Sequence, residues 1–266
     1  TSSFLLFGAG ASNSTIASFL LQEGVNPDKM VIFDSKGALH ADRHDIRNAE
    51  GKYKQWALAE KTNPHKINTM EQAMRGADVL IALSTPGPGT IKPQWISLMA
   101  PESIVFSCAN PVPEIYPYDA HKAGAKIVAT GRGDFPNQVN NSVGFPGILK
   151  GALMVRARKI SDGMAIAAAH SLADFAQNRG INCQSIVPRM DETEVFADVA
   201  ADVAAQAQKE GLARIGLSRA EVFEQALAEI TASRELCHNM MEQGFIKAPP
   251  SEILQEIFSS CIAECK

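Results

Sequence analysis

The sequence predicts an α/β fold, a doubly wound parallel sheet followed by a helical C-terminal region. Three observations support this prediction. Short apolar segments of strand length recur through the first half of the chain, beginning at 4–7. Segments of helical character separate them, and strands that alternate with helices are typical of parallel sheets with right-handed crossovers. After Gly147 the pattern becomes nearly continuous helix. We therefore divide the chain into a sheet domain over 1–141 and a helical region over 142–266 that packs on the sheet.

The individual elements follow one another in a regular order. Strands are predicted at 4–7, 30–33, 78–83, 104–108 and 126–129. Helices are predicted at 16–21, 56–59, 70–75, 95–99, 120–123, 163–175, 194–208, 219–241 and 251–261. Apart from one short helix, the segment 36–66 is polar and irregular. The helix over 163–175 is apolar around most of its circumference, so we expect it to have packing partners on more than one side.

A glycine-rich turn follows the first strand directly. Residues 8–13 are Gly-Ala-Gly-Ala-Ser-Asn and lead into the first helix. In this strand–turn–helix context Gly8 allows the tight turn, and Gly10 lets a pyrophosphate approach the backbone at the helix N-terminus. Asn13 stands where a third glycine is usual, which predicts an altered packing of the helix on the strand. The turn predicts a Rossmann-like, dinucleotide-binding sheet.

An acidic residue ends the second strand. Asp34 stands where a carboxylate can accept hydrogen bonds from the hydroxyls of an adenosine ribose. Its charge disfavours a 2′-phosphate, whereas Lys36, His40 and Arg43 nearby could counter that effect. On this balance we favour NAD, and NADP stays open.

Polar loops follow the three later strands. They occupy 84–89, 109–114 and 130–141, and we expect them along one edge of the sheet, next to the glycine turn. Three asparagines stand in the last two loops: Asn110, Asn140 and Asn141. Amide side chains donate and accept hydrogen bonds without carrying charge, so they could hold a carboxylate, a hydroxyl or a nicotinamide amide. Any one of them taken alone is better explained as a turn cap, so the prediction of a site depends on their combination.

Composition and charge argue against several classes of partner. The net charge is −4 and no basic stripe is present to neutralise phosphates, so we expect no nucleic acid partner. No apolar run approaches the roughly 20 residues that a membrane span requires. The cysteines are odd in number and form no C-x-x-C pair, which favours reduced thiols in a cytoplasmic protein. They are Cys108, Cys183, Cys237, Cys261 and Cys265.

Taken together, the motifs resemble the C-terminal, nucleotide-binding part of bacterial and archaeal malic enzymes. The resemblance is carried by 8–11, 33–37, 82–84, 109–111 and, most specifically, by GRGDFPNQVNNSVGFPG over 131–147. It extends over essentially the whole chain and is least distinctive in the helical tail.

The resemblance implies an activity and a site. Malic enzymes oxidatively decarboxylate malate to pyruvate and CO₂ with NAD or NADP and Mg²⁺ or Mn²⁺, and a homo-oligomer of two or more copies is implied. Asn110 and Asn140 are implied to hold malate beside the nicotinamide. The implied cofactor-binding residues are Gly8, Ala9, Gly10, Ala11, Ser12, Asn13, Asp34, Ser84, Thr85, Asn110 and Asn141.

The resemblance also implies which groups come from elsewhere. In the family, the lysine base, the tyrosine acid and the acidic metal ligands lie in an N-terminal portion, whereas this chain starts at the first nucleotide-binding strand. We therefore assign no catalytic residue and no metal ligand in this chain. We expect it to bind dinucleotide without turning over malate alone, and expect the helical region to pack partly on that N-terminal portion.

Two alternatives stay open. The first is another nicotinamide-dependent dehydrogenase with the same nucleotide fold, because fold alone does not determine function. The second is a stand-alone dinucleotide-sensing or partner-binding module.

Overall fold

The computed structural model describes residues 2–247 and 250–264, so Cys265 lies outside the described residues. Its strands are β1 (Phe4–Phe7), β2 (Met30–Asp34), β3 (Gly37–Ala38), β4 (Val79–Ala82), β5 (Ile104–Ser107) and β6 (Ile127–Thr130). Its helices are α1 (Ala11–Gln22), α2 (His44–Arg47), α3 (Tyr53–Ala59), α4 (Met70–Met74), α5 (Pro93–Ile96), α6 (Pro117–Lys122), α7 (Asn141–Met154), α8 (Asp162–Arg179), α9 (Glu194–Lys209), α10 (Arg219–Glu242) and α11 (Ser251–Glu264).

The strands form one sheet in the order β3-β2-β1-β4-β5-β6. All pairings are parallel except that between β2 and β3, where Asp34 lies opposite Gly37. The antiparallel pairing was not predicted. It arises because a two-residue turn reverses the chain directly after β2, as in a hairpin. The strand order changes direction between β1 and β4, and a crevice opens there at the carboxyl ends of the strands.

Helices cover both faces of the sheet, which confirms the doubly wound α/β prediction. Successive residues of a strand point to opposite faces. Leu5 and Leu80 are buried on the face covered by α4, α5 and α6. Leu6 and Ile32 are buried on the other face, which α1 and α3 cover.

The helical region is built around α9. Its buried residues are mostly alanine and valine: Val195, Ala197, Val199, Ala200, Ala201, Val203, Ala204 and Ala207. Helix α7 packs closely on this surface through two glycines. A Cβ atom on Gly147 would lie 2.6 Å from the Cβ of Val199, and one on Gly151 would lie 2.3 Å from the carbonyl oxygen of Ala200. The two helices can approach this closely only because both positions are glycine.

Helix α7 begins at Asn141, six residues before the change of pattern that the sequence indicates at Gly147. A helix was not predicted over 141–146 because Gly144 and Pro146 have poor helix propensity. Packing on α9 outweighs that propensity, and the side chain of Asn140 caps the first turn.

Helix α10 has its buried residues, Val222 and Ala226, in its first half. In its second half Arg234 donates to the carbonyl oxygens of Asp191 at 3.4 Å and Met190 at 3.5 Å. Within the part of the chain that the structure describes, no helix has both the length and the apolar character that crossing a bilayer would take.

Candidate dinucleotide-binding site

In the glycine turn after β1, Gly8 is packed tightly against neighbouring backbone, whereas Gly10 faces open space. Gly8 has φ +101°, and a Cβ atom there would lie 2.4 Å from the carbonyl oxygen of Leu83. A Cβ atom on Gly10 would meet no atom within 4 Å. The side chain of Gln55 holds the turn from α3, donating to the carbonyl oxygen of Ala9 at 3.1 Å. Gly8 therefore permits packing against β4, whereas Gly10 leaves open space where a ligand can approach the backbone.

The N-terminus of α1 faces this open space. Gly10 is its N-cap and supplies no side-chain acceptor. The first hydrogen bond of the helix runs from the Ser14 N–H to the Gly10 carbonyl at 3.0 Å. Among the described residues, no acceptor is bonded to the backbone N–H groups of 11–13. Free N–H groups at the positive end of a helix dipole favour an anion such as a pyrophosphate.

Asn13 occupies the place of the third glycine in a different way. Its side chain is fully buried and donates to the carbonyl oxygens of Phe7 at 3.0 Å and Ile81 at 3.3 Å. It thereby joins α1 to both strands that flank the crevice. The side chain points to the sheet, so Asn13 could contact a cofactor only through its backbone.

Arg43 organises the end of the crevice where the sequence predicts the adenosine ribose. Its Nη1 and Nη2 donate to the two carboxylate oxygens of Asp34 at 3.2 and 2.8 Å. Its Nε and Nη2 donate to Asp45 at 2.7 and 3.0 Å, and Nη1 also donates to the carbonyl oxygen of Ala38 at 3.1 Å. These bonds use all of the roughly five N–H donors of a guanidinium.

Charge pairing shifts the pKa values of Arg43 and Asp45. The hydrogen bonds that Arg43 donates to Asp45 and then to Asp34 raise the pKa of Arg43. The Arg43 guanidinium in turn lowers the pKa of Asp45. Asp34 also accepts from the backbone N–H of Lys36 at 2.8 Å. Because a carboxylate offers roughly four acceptor positions, Asp34 retains about one for a ribose hydroxyl.

The crevice between β1 and β4 continues into a cavity of about 490 Å³. The structure brings four of the predicted residues to its walls: Ser12, Asn110, Asn140 and Asn141. Ile81, Phe106 and Cys108 supply an apolar floor from the ends of β4 and β5. A flat apolar surface beside amide groups suits a nicotinamide ring, whose only strongly polar substituent is its carboxamide.

The three asparagines of the cavity differ in how their side chains are used. Asn140 is a cap: its Oδ1 accepts from the N–H and hydroxyl of Ser142 at 3.0 and 2.8 Å. Its Nδ2 donates to the carbonyl oxygen of Gly131 at 3.1 Å. Asn110 and Asn141 are exposed, and within 2–247 and 250–264 their side chains make no hydrogen bond. Two of the three amides are therefore free to bind a ligand.

A fully buried glutamate, Glu114, shapes the same edge and was missed in the sequence. Its carboxylate accepts from the N–H and hydroxyl of Ser84 at 2.8 and 3.1 Å. It also accepts from the Ser107 hydroxyl at 3.0 Å and the Ala109 N–H at 3.1 Å. These donors compensate for the cost of burying the charge. The available signal was an acid between apolar residues in Val-Pro-Glu-Ile-Tyr directly after Asn110-Pro111.

Glu114 determines how Ser84 is used and affects the pKa of Cys108. The Ser84 hydroxyl donates to Glu114, so Ser84 supports the loop after β4 and does not line the cavity; Thr85 is exposed beside it. Burial, and then the charge of Glu114, raise the pKa of the Cys108 thiol to about 12. Cys108 is therefore a neutral part of the cavity floor.

Asn137 holds the loop after β6 in place. Its Nδ2 donates to the carbonyl oxygens of Val128 at 3.1 Å and Cys183 at 2.8 Å, and its Oδ1 accepts from the N–H of Ile186 at 3.0 Å. The loop that carries Asn140 is thus tied both to β6 and to the segment after α8.

The described residues contain no cluster of side chains suited to a metal ion. In the described ranges no three His, Cys, Asp or Glu side chains lie close enough together to hold a metal ion. We assign no metal ligand to these residues.

Comparisons with known proteins give the family and the fold of this chain. The family described as malic enzyme, NAD binding domain, matches residues 1–208. The structure of a malic enzyme from Entamoeba histolytica superposes with a TM-score of 0.96 at 52% identity, covering 99% of this chain and 54% of that chain.

Two curated relatives are similar over shorter stretches. The NADP-dependent malic enzyme of Halomonas elongata is 40% identical over 64% of this chain and 38% of its own length. The NAD-dependent malic enzyme of Geobacillus stearothermophilus is 36% identical over 79% of this chain and 42% of its own length. The chain thus spans about half the length, or less, of the relatives it matches. The resemblance found in the sequence is confirmed, and the chain belongs to the family of malic enzyme NAD-binding domains.

Proposed function

We propose that this chain provides the dinucleotide-binding part of an NAD(P)-dependent malic enzyme, which converts malate to pyruvate and CO₂. One observation carries the proposal. The first turn of α1 borders the same cavity as Asn110 and Asn141, whose side-chain amides have no hydrogen bond within the described chain. The relatives named malic enzymes support the choice of reaction. The division into a dinucleotide-binding domain over 1–141 and a helical region over 142–266 is part of this proposal.

The residues of the chain have distinct roles in this proposal. The turn from Gly8 to Asn13 holds the pyrophosphate through its backbone, and Asp34 accepts from the ribose. Asn110 and Asn141 orient the nicotinamide carboxamide and the substrate. Asn140 fixes the start of α7 and presents its remaining N–H to malate. Ser84 and Thr85 form the loop that borders the cofactor groove.

The bound cofactor would accept a hydride from malate, and the apolar floor of the cavity would exclude water from one side of it. Mg²⁺ or Mn²⁺ belongs to the complete reaction, but we place no ligand to it among the described residues. We likewise assign no base and no acid to this chain.

We infer a preference for NAD over NADP from the adenosine end. A 2′-phosphate would meet Asp34 and Asp45, and Arg43 could bind it only by giving up existing hydrogen bonds. Lys36 is the one predicted counter-charge that stays largely exposed in the described chain, 3.6 Å from Asp45. The two carboxylates therefore repel a phosphate dianion, whereas Asp34 can accept a hydrogen bond from a ribose hydroxyl.

Fluorescence titration with NADH and NADPH tests this preference. We expect tighter binding of NADH, and expect Asp34→Asn to shift the ratio of the two dissociation constants by about tenfold toward NADPH, or about 1.4 kcal/mol. Asp42→Asn is the control, because Asp42 is an exposed acid of the same segment that pairs with Lys66 instead. Equal affinity for both dinucleotides in the unmodified chain would contradict the inference.

Turnover and ligand binding together test the wider proposal. With malate, NAD and Mn²⁺, the chain alone should bind dinucleotide and produce no pyruvate. Clear turnover would show that a base and an acid within this chain were overlooked. Binding of a different hydroxy acid in preference to malate would favour another dehydrogenase. Tight dinucleotide binding without affinity for any hydroxy acid, even beside an added N-terminal portion of a relative, would favour a sensing module.

A cytoplasmic location is a further part of the proposal. It is supported by the four described cysteines, which are all free thiols: Cys108, Cys183, Cys237 and Cys261.

A further inference from the structure

A second cavity, of about 560 Å³, lies in the helical region between α7, α10 and the start of α9. We call it the α7–α10 cavity. Most of its accessible wall is apolar and is formed by Pro146, Met190, Phe196 and Ile230. It shares no lining residue with the cavity that continues the crevice. The crevice therefore does not account for it.

The charged groups that line the α7–α10 cavity include one unpaired cation. Lys150 of α7 and Glu229 of α10 form an ion pair, so their charges compensate each other. The Arg234 guanidinium forms no ion pair among the described residues and donates to two backbone carbonyl oxygens, those of Asp191 at 3.4 Å and Met190 at 3.5 Å. Both distances exceed the roughly 2.9 Å of a good N–H···O hydrogen bond. Arg234 can therefore exchange these contacts for an anionic ligand.

A guanidinium beside an apolar wall is complementary to a carboxylate that carries an apolar body. The guanidinium can bind the carboxylate through two parallel hydrogen bonds, and Phe196 and Ile230 can remove the apolar body from water. The carboxylate of Asp191, in the adjoining segment, is already paired with Arg189. A cationic ligand would be repelled by Arg234, and a ligand without an apolar body would leave most of the wall in water.

A series of contacts joins the α7–α10 cavity to the crevice. The Met190 carbonyl accepts from Arg234, and the Met190 Sδ lies 3.1 Å from the hydroxyl oxygen of Ser142. That hydroxyl donates to the Oδ1 of Asn140 at 2.8 Å, and Asn140 lines the crevice cavity. A carboxylate that draws Arg234 away from Met190 would therefore disturb the cap that holds Asn140 in place.

We propose that the α7–α10 cavity binds a small carboxylate with an apolar body, and that this ligand weakens dinucleotide binding in the crevice. The carboxylate group lies on Arg234, and the apolar body lies on Pro146, Phe196 and Ile230. The weakening rests on the proposed function of the crevice, whereas the binding itself does not. Because coupling between two sites is reciprocal, the dinucleotide weakens binding of the carboxylate by the same factor.

Isothermal titration calorimetry with octanoate tests the binding. We expect a dissociation constant below about 1 mM, weaker binding of 1-octanol and no binding of octylamine, whose charge is opposite. Arg234→Gln should weaken octanoate binding by about tenfold or more. Arg75→Gln is the matched control, because Arg75 is also exposed and forms no ion pair within the described chain. Octanoate that does not bind, binds no better than 1-octanol or binds Arg234→Gln equally well would overturn the proposal.

A substitution that fills the α7–α10 cavity locates the site. Ser233→Phe should abolish octanoate binding, because Ser233 lines the cavity. Ala232→Phe is the control, since the preceding residue of a helix points about 100° away and Ala232 lies outside the lining. Both positions are exposed, so the melting temperature should stay unchanged in both variants. Unchanged octanoate binding by Ser233→Phe would overturn the assignment to this cavity.

Fluorescence titration with NADH at increasing octanoate concentrations tests the coupling. The dissociation constant of NADH should rise about fivefold to a plateau, and Ser142→Ala, which removes the hydrogen bond to Asn140, should lower that plateau. A rise in proportion to octanoate without a plateau would indicate competition in the crevice and overturn the coupling, as would an unchanged NADH affinity. A chain that fails to bind NADH would refute the proposed function, while the octanoate calorimetry would still decide whether the α7–α10 cavity is a site.

Discussion

The two ends of the crevice differ in how far their polar groups are paired before any ligand binds. At the adenosine end, Asp34 and Arg43 are joined by two hydrogen bonds, and Asp45 shares the same guanidinium. At the nicotinamide end, Asn110 and Asn141 are exposed and make no side-chain hydrogen bond in the described chain. A partly buried charge needs a partner at all times, whereas a neutral amide can remain in water at little cost. In the function that we propose, the first end would select between dinucleotides by repelling a 2′-phosphate, and the second would bind its ligand through amide groups that are free to rearrange.

Among the predicted losses of stability, substitution of Gly8, in the turn that connects the two ends of the crevice, should cause the largest. Gly8→Ala would place a Cβ atom 2.4 Å from the Leu83 carbonyl oxygen at φ +101°, so we expect a loss of stability of about 3 kcal/mol or more. Chemical denaturation measures it. Gly10→Ala is the matched control, because its Cβ meets open space and its φ is −71°. That variant should keep its stability and bind NADH less tightly. Equal stability of both variants would contradict the expectation.

Glu114→Gln should cause the next largest loss of stability. The amide group of glutamine would turn donors toward the donors of Ser84 or of Ser107 and Ala109, leaving buried groups unpaired at a cost of about 2 kcal/mol. The unfolding free energy should fall, and NADH affinity should fall with it as the two loops separate. Glu102→Gln is the control, since its side chain is 74% exposed. An unchanged unfolding free energy for Glu114→Gln would refute the role assigned to this carboxylate.

Comparing two asparagines sharpens the distinction between paired and free groups. Asn140→Ala removes the cap of α7 and should lower stability by about 1 kcal/mol. Asn110→Ala should leave stability unchanged and weaken binding of NADH, or of malate in its presence, by about tenfold. Thermal melting and NADH titration of both variants separate the effects. The distinction fails if Asn110→Ala melts earlier than Asn140→Ala.

The smallest predicted effect is on the reactivity of the Cys108 thiol in the cavity floor. Because burial raises the pKa of Cys108 to about 12, its thiolate is scarce at pH 8. Iodoacetamide should therefore modify the exposed Cys237 and Cys261 well before Cys108. The thiolate fraction of Cys108 should grow only as the pH rises toward that pKa. Peptide mapping by mass spectrometry measures the order of reaction, and early labelling of Cys108 would contradict it.

Much of the sheet could be predicted because its signals are local. The run Phe4–Phe7, the glycines that follow it and Asp34 at the end of β2 each depend on a few neighbouring residues. Helix α7 could not be predicted over its first turns. Its Gly144 and Pro146 disfavour helix, and the compensating contact with α9 comes from residues some fifty positions later.

The sequence by itself determined the α/β class, the glycine turn and the edge of the sheet where the asparagines meet. Only the tertiary structure decided how those groups are used. It showed that Arg43 is committed to two carboxylates, that Asn140 is a cap and that Glu114 is buried. The reason is physical. Backbone propensity and apolar periodicity act over a few residues, whereas the partner of a polar group depends on which distant loops the sheet brings together and how much water they exclude.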